Sequence, residues 1–385
     1  MLRKNYIDGI MIVILNVLLK PLEVVIMSAK INEYKIALMG FGTVGRGFTE
    51  ILIKNREWLR ETYGLKAKIV AICDIYWGSI YDPTGLDEAE ALELVEKTKE
   101  EKILEKEYDA PHKGWNAVKT IKETNANVVV EVTWTNLETG EPGLTHIKTA
   151  LKEGKHVVTT NKGPIAVAYH ELKPLAVENQ VFLMYEGTVM SGTPVIRFLR
   201  EAISGCHIEE MRGILNGTTN FILTKMEEGW TFDDALKEAQ RLGYAEADPS
   251  GDIDAWDPAG KIAILVNTVM GGRIHPKEVE REGIRGITRE DVQKAIKEGN
   301  RIKLIAHVRK EGGEIKASVK PQKVPLSHPL ANVMDVTNAL TVSTDHLGEV
   351  TVIGPGAGRI QTGQAVLTDL IAIHRYLTKG IKFHA

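Results

Sequence analysis

The sequence predicts an α/β protein built on a doubly wound parallel sheet, followed along the chain by a second, α+β domain. Three observations support this fold class. Short apolar runs that suit buried parallel strands alternate with helical patterns over the first 163 residues. A glycine-rich turn joins the first of these runs to a helix. With 385 residues and 43% apolar content, the chain is long enough to bury two hydrophobic cores.

Charge and cysteine content narrow the range of partners. The formal net charge is −3 and the Lys and Arg residues are scattered, so we expect a small-molecule substrate and no nucleic acid. The two cysteines, Cys73 and Cys206, have no CxxC spacing. This spacing does not indicate a thiolate zinc site or a disulfide framework, and it fits a reducing, cytoplasmic location.

Residues 1–33 are predicted to be an N-terminal extension. Their apolar run at residues 10–19 is shorter than the about 20 residues that span a bilayer, so no membrane partner is expected. Three origins stay open here: the core of a signal peptide, a helix anchored at an interface, and a non-native extension ahead of a cytosolic start at Met27.

Residues 34–163 are predicted to form a Rossmann-type dinucleotide-binding domain. The strand YKIALM leads directly into GFGTVG and then into a helical pattern, which is the context that supports a GxGxxG motif. The first glycine allows the tight turn, the second lets the backbone approach a pyrophosphate, and the third lets helix and strand pack closely. The alternative is a glycine-rich turn in an ordinary βαβ unit. The predicted cofactor contacts are Gly40, Phe41, Gly42, Thr43, Val44 and Gly45.

The next strand, AKIVAICD, ends at Asp74. A carboxylate at this position hydrogen-bonds an adenosine ribose and repels a 2′-phosphate, so NAD is favoured over NADP. The alternative is that Asp74 only begins a turn. Two further strands are predicted at residues 127–133 and 155–163, and their carboxyl ends should face the cofactor crevice. They place Thr133, Trp134 and Lys162 there, with Lys162 either on the surface or against substrate and nicotinamide.

Residues 164–344 are predicted to form the second domain. The segment VFLMYEGTVMSGTPVI should be a strand that ends at Glu186 and a loop that either offers carbonyls to a hard cation or links the domains. In ILNGTTNFIL, the Asn-Gly pair indicates a turn, whereas Thr218 and Thr219 could present hydroxyls and amides to a polar ligand at a helix start.

The stretch GYAEADPSGDIDAWDPAGK, residues 243–261, gathers five carboxylates ahead of one lysine. Their spacing does not fit an EF-hand calcium loop. Asp257 and Pro258 instead predict a helix start with Asp257 as its cap, and Asp257 and Lys261 then lie on neighbouring parts of one face. The apolar run that follows should bury this helix, and a partly desolvated lysine donates its proton more readily. The alternative is an exposed ion pair.

The remaining segments complete both predicted domains. A helix is predicted around residues 288–308, with strands near EIKASVK and ALTVSTD. The turn GPGAGR, residues 354–359, lacks the GK[ST] of a Walker A motif. We expect it to lead into a last helix, so that about 345–385 return to complete the dinucleotide-binding domain.

Taken together, these segments resemble the homoserine dehydrogenase family. The resemblance runs in order from about residue 34 to the C-terminus through GFGTVGRG, EVTWTNLETGEP, HVVTTNKGP, YEGTVMSGTPVI, ILNGTTNFIL, GYAEADPSGDIDAWDPAGK and GPGAG. It implies NAD(P)-dependent interconversion of L-homoserine and L-aspartate 4-semialdehyde, on the route to threonine, methionine and isoleucine, by a homodimer. No aspartate kinase or ACT-type segment is recognised in the chain.

The resemblance also implies roles for particular residues. Lys261 matches the proton donor to the aldehyde oxygen, Lys162 a second active-site lysine, and Asp257 a carboxylate beside the donor. The substrate amino acid would be held by residues matching Gly217, Thr218, Tyr244, Glu246 and Asp252. Glu186, Val189, Ser191 and Thr193 would hold a monovalent cation, with sodium as the first candidate. The glycine turn adds Gly358 to the cofactor contacts, whereas Ser191, Thr193 and Gln364 depart from the more usual residues.

Two other functions remain open from the sequence. One is another nicotinamide enzyme that acts on a related amino-acid aldehyde or keto acid. The other is a non-catalytic NAD sensor, which would lack the paired lysines Lys162 and Lys261.

Overall fold

The computed structural model describes residues 31–379. Residues 1–30, which make up most of the predicted N-terminal extension, and residues 380–385 lie outside this range. Within residues 31–379, no helix combines the length and apolar character needed to cross a membrane.

The first half of the chain forms a seven-stranded sheet with the strand order β4-β3-β2-β1-β5-β6-β7. Strands β1, β2, β5, β6 and β7 pair in parallel, whereas the β2–β3 and β3–β4 pairs at one edge are antiparallel. The strands are β1 (Tyr34–Met39), β2 (Ala67–Asp74), β3 (Gly78–Tyr81), β4 (His112–Lys113), β5 (Val128–Glu131), β6 (His156–Thr159) and β7 (Leu183–Met184). The predicted fold class, a Rossmann-type sheet with a second α+β unit, is confirmed.

The second sheet has six strands in the order β13-β12-β8-β10-β11-β9. All of its pairs are antiparallel except the short pairing of β9 with β11. The strands are β8 (Ile208–Ile214), β9 (Glu280–Arg281), β10 (Asn300–Glu311), β11 (Glu314–Pro325), β12 (Thr337–Thr344) and β13 (Gly348–Pro355).

Helices connect the strands of both sheets. Those that follow strands of the first sheet are α1 (Thr43–Tyr63), α2 (Glu88–Lys97), α3 (Ile103–Glu107), α4 (Ala117–Glu123), α5 (Gly143–Lys152) and α6 (Lys162–Glu178). The others are α7 (Val195–Arg197), α8 (Gly217–Glu227), α9 (Phe232–Arg241), α10 (Ser250–Ile253), α11 (Trp256–Thr268), α12 (Arg289–Lys297) and α13 (Arg359–Thr378). Short 3₁₀ helices occupy Glu186–Thr188, Pro276–Glu278 and Pro329–Asn332, and a single π turn occupies Phe198–Ala202.

The last helix returns to the first sheet and packs along α1. A Cβ atom on Gly363 would lie 2.5 Å from the backbone nitrogen of Phe48, so only glycine permits this close approach. The hydroxyl of Tyr34 lies 3.2 Å from Nδ1 of His374, which ties the helix to the first strand. The strand before this helix, β13, belongs to the second sheet, so of residues 345–379 it is α13 that packs on the first sheet.

Three local predictions were wrong. The helix expected around residues 288–308 ends at Lys297, because Gly299 adopts φ +74° and the chain then enters β10. The helix expected to be capped by Asp257 begins at Trp256, after a left-handed Ala255, and the Asp257 side chain is used elsewhere. The strand expected to run to Glu186 is limited to Leu183–Met184.

A strand of the second sheet carries a fully buried lysine. Lys303 on β10 has no solvent exposure, and its ammonium donates to the carbonyl of Val333 at 2.7 Å and to Asn220 Oδ1 at 3.0 Å. Burial lowers the pKa of Lys303 to about 8, against a weaker opposing effect of the Glu227 charge. These contacts fix the segment before β12 against α8, and within residues 31–379 no carboxylate pairs directly with the Lys303 ammonium.

We predict that Lys303 makes stability rise with pH in the mildly alkaline range. Below about 8 the folded and unfolded chains both hold the proton, and the burial penalty is complete. Between about 8 and 10.5 the folded chain releases the proton while the unfolded chain keeps it, so the free energy of unfolding rises. Urea unfolding of wild type and Lys303→Met at about pH 7.5 and 9.5 should show wild type gaining stability relative to the variant.

The control is Lys320→Met, which alters a half-exposed lysine on the neighbouring strand. Its stability difference from wild type should stay constant over the same pH range. Parallel pH curves for wild type and Lys303→Met would contradict the prediction.

Candidate active site

The glycine turn after β1 leaves open space at the start of α1. A Cβ atom on Gly42 would meet no atom within 4 Å, whereas one on Gly45 would lie 2.4 Å from the carbonyl oxygen of Gly40. Gly40 itself has φ +94°, and its added Cβ would lie 2.7 Å from the carbonyl oxygen of Val132. Gly40 and Gly45 therefore hold strand and helix close together, and Gly42 leaves the approach to the amides of Thr43 and Val44 clear.

Asp74 at the end of β2 accepts hydrogen bonds from three backbone N–H groups. Its carboxylate accepts from the N–H of Phe41 at 2.6 Å, of Tyr76 at 2.8 Å and of Trp77 at 2.9 Å. Asp74 therefore begins a turn and also braces the glycine loop. A carboxylate has about four acceptor positions, so one remains for a ribose hydroxyl.

The ends of β5 and β6 lie side by side, as predicted. Asn161 caps α6, because its side-chain oxygen accepts from the Gly163 N–H at 3.2 Å. Its side-chain NH₂ donates to the carbonyl of Trp134 at 3.0 Å. Thr133 is held by the buried carboxylate of Glu131. These bonds place the exposed Trp134 ring and the first residue of α6, Lys162, on the wall of one cleft.

Gly358 lies at the start of α13, beside α1 rather than in the glycine loop itself. It has φ +133°, and the neighbouring Arg359 carbonyl oxygen would lie 2.2 Å from a Cβ on Gly47. The C-terminal helix thus meets α1 two residues after the GxGxxG motif.

Asp257 lies between the two predicted lysines. Its Oδ2 accepts from Lys261 Nζ at 2.7 Å, and its Oδ1 lies 3.4 Å from Lys162 Nζ. Lys261 is buried, with 7% exposure, and it also donates to the Leu215 carbonyl at 2.5 Å. Among residues 31–379 these are the two hydrogen bonds of this ammonium group, which carries three N–H donors.

Asn216, which the sequence suggests only as part of a turn, connects Asp252 and Asp257. The side-chain amide of Asn216 donates to Asp252 Oδ1 at 2.7 Å and to Asp257 Oδ2 at 2.9 Å. Its oxygen accepts from the Thr219 N–H at 2.9 Å and so caps α8. One asparagine therefore fixes both carboxylates relative to the start of α8.

The pKa values of Asp252 and Asp257 shift in opposite directions. Burial, followed by the charge of Asp257, raises the pKa of Asp252. Burial also disfavours ionisation of Asp257, but the positive charges of Lys261 and Lys162 outweigh it and hold the pKa of Asp257 well below its usual value. Asp257 is therefore a fixed negative charge, and Asp252 is the carboxylate that can lose its charge as pH falls.

The rest of the acidic stretch is divided between the cleft and the surface. The cleft encloses about 710 Å³, and Tyr244, Glu246 and Asp252 line it together with Lys162 and Asp257. Thr218, near Gly217 at the start of α8, donates its hydroxyl to the Tyr244 carbonyl at 2.7 Å. Asp254 instead pairs with Arg285 on the surface.

The loop predicted to hold a cation packs against the start of α13. Glu186 does not point its carboxylate into the loop, because its oxygens accept from the Ile196 and Arg197 amides at 2.8 and 2.9 Å. Ser191 has φ +55° and contacts Thr362 through a 2.8 Å hydroxyl pair. Thr193 donates to the Pro355 carbonyl at 3.0 Å. Cation binding here would have to use backbone carbonyls, including that of Val189, which agrees with the donor set that the resemblance implies.

The arrangement suits proton transfer to a carbonyl oxygen. Lys162 and Asp257 line the cleft, and Asp257 also binds the buried ammonium of Lys261, so two ammonium groups lie close to one carboxylate of the cleft wall. Both lysines and Asp257 are predictable from the sequence, whereas Asn216 and the Leu215 carbonyl were not predicted. The position of Asn216 immediately before the start of α8 was the only available signal.

Comparison with known proteins identifies the family of the chain. The chain matches the family model for the homoserine dehydrogenase NAD-binding domain over residues 40–186 and the homoserine dehydrogenase model over residues 194–371. It is 43% identical to a NAD(+)-dependent homoserine dehydrogenase of Pseudomonas canavaninivorans over 90% of this chain and 98% of that protein. It is 45% identical to a homoserine dehydrogenase of Methanocaldococcus jannaschii over 89% of this chain and 99% of that protein.

Solved structures give the same result. A homoserine dehydrogenase from Thiobacillus denitrificans superposes with a TM-score of 0.77 at 35% identity, over 90% of this chain and 74% of that one. A hyperthermophilic archaeal homoserine dehydrogenase in complex with NADPH superposes with a TM-score of 0.77 at 36% identity, over 91% of this chain and all of that one. The chain therefore belongs to the homoserine dehydrogenase family and carries that family's NAD-binding domain.

Proposed function

We propose that the cleft around Asp257 carries out the family's reaction, the reversible reduction of L-aspartate 4-semialdehyde to L-homoserine. The observation that carries this proposal is the buried ammonium of Lys261, two of whose donors are bound by Leu215 and Asp257. Its third N–H can reach the aldehyde oxygen. Bound NAD(P)H would supply the hydride to the aldehyde carbon.

Lys261 acts as the general acid. As hydride reaches the carbon, electron density moves to the aldehyde oxygen, which takes a proton from the Lys261 ammonium. The positive charge of Lys162, which lies on the other side of Asp257, would stabilise the same growing negative charge on the oxygen. In the oxidation direction, neutral Lys261 would take the hydroxyl proton of homoserine, and Asp257 would stabilise the resulting ammonium.

The amino-acid end of the substrate would occupy the acidic wall of the cleft. Asp252 and Glu246 offer carboxylates to the substrate ammonium, and Tyr244 closes the same side. The amides at the start of α8, at Gly217 and Thr218, suit the substrate carboxylate, because helix N-termini attract negative charge.

The cofactor would lie along Gly40–Gly45 with its pyrophosphate above the amides of Thr43 and Val44. Asp74 disfavours a 2′-phosphate, so NAD is the preferred cofactor of this proposal. Thr133, Trp134 and Gly358 would line the remainder of the crevice. We further propose that residues 34–163 with the C-terminal helix serve the cofactor, and that 164–344 serve catalysis and homodimer formation.

A monovalent cation, with sodium as the first candidate, would be held by the carbonyls of residues 186–193. The family resemblance and the left-handed turn at Ser191 support this assignment. A cytoplasmic location completes the proposal.

We predict that Lys261→Met lowers the rate of homoserine oxidation by at least about 100-fold, the usual contribution of a general acid–base group. NADH binding, followed by fluorescence titration, should remain near wild type. The control is Lys277→Met, which removes a half-exposed lysine that is paired with Glu138 at the cleft rim. Loss of activity in both variants alike, or in neither, would show that the buried ammonium is not the acid.

We predict that Asn216→Ser raises KM for homoserine about 10-fold or more, since a lost hydrogen bond to a charged group costs about 1.5–3 kcal/mol. Serine keeps the cap of α8 but cannot bridge Asp252 and Asp257. The pKa of Asp252 should rise further, so kcat/KM should begin to fall at a higher pH on the acid side. An acid limb that does not move between wild type and variant would contradict the role of Asn216.

We predict that Asp74→Asn lowers the ratio of the NADP to the NAD dissociation constant by about 10-fold, equivalent to about 1.4 kcal/mol. Asparagine keeps an acceptor for the Phe41 N–H and removes the charge that opposes a 2′-phosphate. The two constants are measured by titrating each cofactor into wild type and variant. Tighter binding of NADP than of NAD by the wild-type protein would overturn the assigned preference.

A further inference from the structure

A second cluster of potential ligand atoms lies away from the cleft. The Sγ of Cys206, a carboxylate oxygen of Asp345 and a ring nitrogen of His346 all lie within 4.8 Å of one another. The Nδ1 of His346 is 3.2 Å from Asp345 Oδ1. Among residues 31–379, this is the group of three such side chains that is close enough to share one metal ion.

Strand pairing brings these residues together from distant parts of the sequence. Cys206 precedes β8, and Asp345 and His346 form the turn between β12 and β13. Because β8 and β12 are antiparallel, with Ile208 opposite Thr344, the start of one strand lies beside the end of the other. Sequence spacing alone therefore gives no sign of the cluster.

The backbone around the cluster is held by hydrogen bonds. The His207 N–H donates to Asp345 Oδ1 at 2.9 Å, and the Asp345 N–H donates to the His207 carbonyl at 3.2 Å. The Cys206 N–H donates to the Ile203 carbonyl at 2.9 Å. The bond to Oδ1 orients the Asp345 carboxylate and leaves Oδ2 available, as second-shell bonds do for metal-ligating carboxylates.

We propose that Cys206, Asp345 and His346 form a binding site for a divalent transition-metal ion, with Zn²⁺ as the best match. A thiolate, an imidazole and a carboxylate together suit Zn²⁺, whereas the hard ions Mg²⁺ and Ca²⁺ prefer oxygen ligands throughout. Bonds of about 2.0–2.3 Å in a tetrahedral site place ligand atoms about 3.3–3.8 Å apart. The three atoms, which lie within 4.8 Å of one another, would have to draw closer by about 1 Å on binding, and water would take the fourth position.

The site would clamp the start of the second sheet rather than take part in the reaction. It lies before β8, whereas the cleft lies beyond the other end of that strand, where Leu215 meets Lys261. Seven residues of strand separate the two ends, which corresponds to about 23 Å. Metal bound here would join the segment before β8 to the turn between β12 and β13.

The experiment uses the full chain, cleared of metal with a chelator that is then removed, and Co²⁺ as a spectroscopic probe for the site. Wild type should take up one Co²⁺ per chain with a thiolate-to-metal absorption band. Cys206→Ser should lose that band, and His346→Ala, which alters an exposed side chain, should bind Co²⁺ at least about 10-fold more weakly. Cys73→Ser is the matched control, because its thiol lies in the first sheet, and it should keep both the band and the affinity.

Thermal unfolding distinguishes loss of the metal site from loss of folding. Zn²⁺ should raise the thermal midpoint of wild type and of Cys73→Ser, because a ligand that binds the folded state stabilises it. It should leave the midpoint of Cys206→Ser unchanged, and all three proteins should oxidise homoserine at the same rate without added metal. Absence of a saturable band in wild type, or an equal band in Cys206→Ser, would overturn the proposal.

Discussion

The charge of Asp257 is the constraint on which the site depends. A carboxylate at this depth is costly to ionise unless cations and donors surround it. Here Lys261, Lys162 and the amide of Asn216 all converge on it. Removing any one of them leaves a partly buried charge short of a partner, so these four residues act as one unit and their effects should not be additive.

This unit joins the two halves of the molecule. Lys162 begins α6, directly after a strand of the first sheet, whereas Asp257 and Lys261 lie on α11 of the second half. The two helices pack together, and Asn267 on α11 donates its amide to the Ala166 carbonyl on α6 at 2.9 Å. The relative position of the two lysines is therefore set by helix packing as well as by the shared carboxylate.

Sequence alone predicted the parts of this site that depend on local pattern. The GxGxxG turn, the segments after β5 and β6 that carry Thr133 and Lys162, and the four-residue spacing of Asp257 and Lys261 all follow from local motifs and periodicity. Asn216 was missed because an Asn-Gly pair predicts a turn by itself. Its two carboxylate partners become apparent only when the end of β8 lies beside the start of α11. Lys303 was missed because residues up to 308, which form the first part of β10, were interpreted as part of a helix.

The return of α13 to the first sheet has a consequence for how the chain folds. Val366, Leu370 and Ile373 share one hydrophobic core with Tyr34, Ile36 and Leu38 of β1, although more than 300 positions separate them in sequence. Contacts between such distant segments slow folding, because a long loop must close before they can form. On the ribosome, the first sheet would emerge early but could not bury its α1 side until the last helix had been synthesised. During that interval the exposed apolar surface would be open to chaperones and to aggregation.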